Sequence, residues 1–138
     1  VRSLLPRSWR SKFAHTYLVE ILTVILGFST AGFGASILIM TPAYRPIVSF
    51  QQAFRWVAPE WWGLTMVVLG VLAVALLIHS RAAAAIPIFL LGMVWVAWVI
   101  PIVLSPGFVP SAPIVYGALS AVTLAVGYAC LVGREERP

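Results

Sequence analysis

Residues 82–110 read AAAAIPIFLLGMVWVAWVIPIVLSPGFVP, a stretch without one charged side chain. An α-helix rises 1.5 Å per residue, so about 20 such residues cross the roughly 30 Å hydrocarbon core of a bilayer. Lipid offers the backbone no water, and a helix satisfies its N–H and C=O groups within the segment. Three more uncharged runs accompany this one: Ile21 to Tyr44, Trp61 to Ile78, and Ser111 to Gly133. The chain reads as an all-α integral membrane protein with four transmembrane helices, near residues 21–43, 61–79, 82–104 and 112–133. One domain over 1–138 is expected, because the polar remainder is too short to build a second core.

Composition agrees. Hydrophobic residues make up 62% of the chain and charged residues 9%, against about 25% charged in soluble domains. A soluble fold of this length has too much surface to hide that apolar load. The first run is also longer than the core of a signal peptide, typically about 7–15 residues, so it is read as a span.

Lysine and arginine set the expected orientation. Arg2, Arg7, Arg10 and Lys12 precede the first span, Arg81 lies between the second and third, and Arg134 and Arg137 follow the fourth. Only Arg45 and Arg55 fall on the other side. Cytoplasmic loops carry the excess of Lys and Arg, so both ends are expected inside, in a multi-pass protein of the cell membrane, bacterial or phage-encoded. That basic inner face suits anionic lipid and accounts for the net charge of +5 without a nucleic-acid partner.

Two segments read as interfacial amphipathic helices. Pro6 can open the first, in which Leu5, Trp9 and Phe13 recur on one face between basic residues. In the second, Ile47, Phe50, Phe54 and Val57 share a face opposite Ser49, Gln52 and Arg55, with Pro46 to start it and Pro59 to stop it. This second helix is expected to lie flat on the outer leaflet; the sharper alternative is a docking surface or a lid over the bundle. Trp9, Phe13, Phe50, Phe54, Trp56, Trp61, Trp62, Trp98 and Tyr116 are expected at headgroup depth, where amphipathic rings settle. Trp95 is deeper and needs a partner for its indole N–H.

Small residues supply the packing signal. Gly117, Ala121, Ala125, Ala129 and Gly133 recur every four residues on the last span, and Gly27, Ala31 and Ala35 do so on the first. Such ridges allow close backbone approach. Pairing of these two ridges within one chain is expected, with self-association through the last span as the alternative.

Chemistry is sparse. The acids are Glu20, Glu60, Glu135 and Glu136 and the histidines His15 and His79, all at or beyond span boundaries. A metal site from His15, His79 and Glu20 is geometrically conceivable, but such residues also collect at polar boundaries without any metal. Cys130 is alone and reads as a small buried filler. No nucleophile-elbow, zinc-protease, P-loop or dinucleotide pattern occurs. No catalytic residue, cofactor or metal is therefore assigned. Intramembrane ionisable residues, the usual mark of ion pathways, are missing from the deep parts of all spans. The leading expectation is a non-catalytic accessory or structural subunit that contacts membrane lipids and other membrane protein subunits, or its own copies. A holin-like pore or lesion former and a small transporter or channel component are the alternatives.

Overall fold

Helix boundaries follow the local chemistry of proline and serine. In the computed structural model, which describes residues 17–106 and 110–132, Pro59 opens a helix at a position where its missing N–H costs nothing. Ser80 caps another: its hydroxyl accepts a hydrogen bond from the Ala83 N–H at 3.0 Å. The five helices among the described residues are α1 (Leu18–Tyr44), α2 (Val48–Trp56), α3 (Pro59–Leu77), α4 (Arg81–Val103) and α5 (Ser111–Val132). Four of them, α1, α3, α4 and α5, are long and apolar enough to cross a membrane. The chain is a multi-span helical membrane protein.

Prolines inside the spans have different effects. Pro42 lies inside α1, and the backbone leaves helical geometry at Met40, where φ is −113° and ψ is 24°. A proline ring clashes with the turn before it, which places the kink there. Pro101 leaves the third span unbroken: α4 runs on to Val103 with Pro101 buried. The Ser105 hydroxyl donates to the Pro101 carbonyl at 2.7 Å and ties off that end.

The spans pack as two antiparallel pairs, α1 with α3 and α4 with α5, joined by a thinner seam between α3 and α4. The first pair meets through glycine. Gly27 lies against Gly70 and Val74, and Gly34 against Gly63 and Met66, so two glycines seven residues apart on each helix meet in antiparallel register. Close approach of this kind holds helices together where lipid removes the hydrophobic drive. The α1 ridge of Gly27, Ala31 and Ala35 therefore turns toward α3, with Gly27 buried and both alanines half-buried.

The expected partnership between that ridge and the last span is corrected. On α5, Ala121 and Ala125 are exposed, Ala129 is half-buried, and Gly117 has nothing within 4 Å of where a Cβ would stand. Gly133 lies outside the described residues. The inward face is instead Ser120, Thr123, Val126, Gly127 and Cys130. Its polar atoms explain the rotation. Ser120 donates to the Gly92 carbonyl at 3.0 Å, and Thr23 Oγ1 meets Cys130 Sγ at 3.6 Å. Turning them to lipid would forfeit those partners, a larger loss than leaving alanines exposed.

Candidate functional site

The end of the bundle that carries α2 is built around one indole. Trp98 is fully buried on α4 and ringed by five aromatic side chains from all four other helices. Their planes stand nearly perpendicular to it: Trp62 at 5.1 Å and 78°, Phe50 at 5.4 Å and 79°, Phe33 at 5.9 Å and 78°. Phe54 follows at 6.0 Å and 84°, and Tyr116 at 6.2 Å and 71°. Edge-to-face contacts of this sort add about 0.5–1.5 kcal/mol each beyond the area they bury. Trp95 stacks on Tyr116 at 5.7 Å and 10°, and Tyr44 on Phe50 at 4.5 Å and 15°.

Helix α2 is a roof over this cluster. Phe50 and Ala53 are buried in the same core as Trp98 and Ile102, and the Trp62 indole N–H donates to the Ala53 carbonyl at 3.2 Å. The segment thus does not lie flat with Phe50 and Phe54 turned to lipid. Phe50, Trp62 and Trp98, expected at headgroup level, face inward, while Phe54 and Tyr116 are half-buried against the same cluster. Trp56 and Trp61 do face outward, at 61% and 65% exposure. Trp9 and Phe13 lie outside the described residues. Two prolines bracketing an amphipathic stretch signalled the helix, but one apolar face fits a lipid surface and a protein roof equally well. The indole N–H groups of Trp95 and Trp98 have no hydrogen-bond partner among the described residues.

At the opposite end Arg81 donates through Nε to Glu20 Oε1 at 2.5 Å, joining α4 to α1. Both side chains are about a quarter exposed, so the pair stays partly hydrated. This contact occupies the acid that a metal site would have needed. No group of three or more His, Cys, Asp or Glu that could hold a metal occurs among the described residues. His15 lies outside them, as do Arg2, Arg7, Arg10, Lys12, Arg134 and Arg137.

Apart from Ser120, which reaches across to α4, four hydroxyls inside the spans are turned back on their own helices. Thr23 donates to the Val19 carbonyl, Ser36 to Phe33, Thr41 to Ile37 and Thr123 to Leu119. They form local bonds, not a polar seam.

Two concavities remain on the surface. One is an apolar groove of about 680 Å³ along the seam of α3 and α4, lined by Trp61, Leu64, Val68, Leu90, Met93 and Ala97 among others. The second is a pocket of about 400 Å³ beside the roof, lined by Arg45, Gln51, Phe54, Arg55 and Pro59. Sequence reasoning assigned neither. Comparison with protein-family models, with curated proteins and with solved structures finds no match in any of the three.

Proposed function

We propose that the protein is a non-catalytic membrane subunit that works through its outward faces, binding other membrane proteins or further copies of itself. The observation that carries this reading is the contrast between the inside and outside of the bundle. Inside, Trp98, Ile37, Met66, Ile88 and Leu91 fill the space at essentially zero exposure, and the Thr23, Thr123 and Ser120 hydroxyls are taken up by backbone carbonyls. Among the described residues such an interior offers no hydrophilic path. Outside, the smooth stripe of Gly117, Ala121 and Ala125 has no occupant among the described residues. Small residues on a span favour close helix contact, so a helix of a partner suits that stripe.

Purification in mild detergent followed by mass measurement of the intact complex tests the reading. The expected result is a species heavier than the 15.0 kDa chain by a second protein or further copies. Ala121→Leu combined with Ala125→Leu should remove the added protein and leave the chain's own melting temperature in place. A chain that carries only lipid under all mild conditions would overturn the reading.

A further inference from the structure

Three arginines lie among the described residues, and they are used differently. Arg81 is taken by Glu20. Arg45, directly after α1, and Arg55, in the last turn of α2, both line the 400 Å³ pocket beside the roof. They are the only Lys or Arg between Tyr17 and Ser80, and the fold-back of α2 brings both to one cavity. No carboxylate among the described residues lines that cavity. Glu60, next in sequence to Pro59, makes no ion pair with either arginine, since Arg81–Glu20 is the salt bridge of the described residues.

Two guanidinium groups around one cavity raise the local positive potential, and each offers a planar fork of donors matched to phosphate or carboxylate oxygens. Gln51 adds an amide that can donate beside them. Phe54 and Pro59 supply an apolar wall, which suits an anionic group carried on an apolar body. We propose that the pocket formed by Arg45, Arg55 and Gln51 binds an anionic phosphate-bearing group, either a lipid headgroup or a soluble phosphate. The proposal is independent of the partner reading above, because it concerns a different face of the molecule.

The test uses the full chain with ¹⁵N-labelled arginine in maltoside micelles, which contain no phosphate. The Nε–H signals of Arg45, Arg55 and Arg81 are followed during separate titrations with inorganic phosphate, short-chain phosphatidylglycerol and short-chain phosphatidylcholine. Arg45 and Arg55 should move together on one saturating curve with an anionic phosphate, while Arg81 holds still. Arg45→Gln should weaken the affinity read at Arg55 by roughly tenfold, as loss of one charge-assisted fork implies. Arg55→Lys, read at Arg45, gives the same test without removing charge and should also weaken binding. Saturation by phosphatidylglycerol alone identifies a lipid headgroup, and equal saturation by inorganic phosphate identifies a soluble anion; both support the site. Non-saturating shifts, separate curves for the two arginines, or an equal response to phosphatidylcholine would overturn it.

Discussion

Gly34 and Gly63 meet backbone to backbone: a Cβ on Gly34 would stand 2.6 Å from the Gly63 carbonyl oxygen, and one on Gly63 2.7 Å from that of Gly34. Neither helix can yield without opening the α1–α3 pair. Gly34→Ala should therefore destabilise the protein by about 1–3 kcal/mol, the usual range for overpacking. Gly32→Ala, two residues away with nothing within 4 Å, should leave stability nearly unchanged. Thermal unfolding in detergent compares the two, and equal shifts would count against glycine contact as the basis of the pair.

The roof depends on Trp98. Truncation to alanine removes the ring on which five aromatic neighbours converge, and the expected loss is roughly 3–5 kcal/mol. Trp61→Ala should cost under about 1 kcal/mol, because Trp61 points away from the bundle. With Trp98 gone, α2 should loosen and trypsin should cut after Arg55 faster than in the unaltered chain. Unchanged cleavage would mean that α2 is held by other contacts.

Glu20 and Arg81 join two spans that otherwise touch little. The pair is partly hydrated, so its coupling energy should be modest, about 0.5–1 kcal/mol in a double-mutant cycle of Glu20→Gln and Arg81→Gln. Additive losses would show that the contact contributes nothing to stability.

Orientation can be read by labelling. Cys130 is fully buried, so the natural thiol should give little background. Gln51→Cys, exposed on the roof, should react with an impermeant thiol reagent applied to intact cells. His79→Cys, exposed at the opposite end, should react only after the cells are opened. The reverse pattern would invert the assignment drawn from the basic residues.

The spans were legible because a bilayer imposes length and charge rules on every residue of a run, and the helices begin and end within a few residues of the expected spans. Which way each helix turns was harder. Gly117, Ala121 and Ala125 match the small-residue spacing as well as Gly27, Ala31 and Ala35 do, but spacing carries no information about the hydroxyls across the helix contact. The bond from Ser120 to Gly92 links residues 28 positions apart, and it is such bonds that turned α5. The glycine heptads of α1 and α3 did leave a signal: Gly27 and Gly34 on one span mirror Gly63 and Gly70 on the next. The inward turn of Trp98 had no such signal in the sequence, since an indole near a span end meets headgroups unless something covers it, and the cover comes from α2.

Each span takes its main partner from the span beside it in the chain, α1 with α3 and α4 with α5. Domains generally form in the order in which the ribosome delivers them, with the N-terminal part first. The first hairpin can accordingly close in the bilayer while α4 is still being made, since its glycine contacts involve nothing beyond Val74. Its roof cannot. Phe50 and Ala53 have no Trp98 to cover until the third span arrives, so the aromatic cluster records that synthesis has passed α4 and that the two hairpins have met.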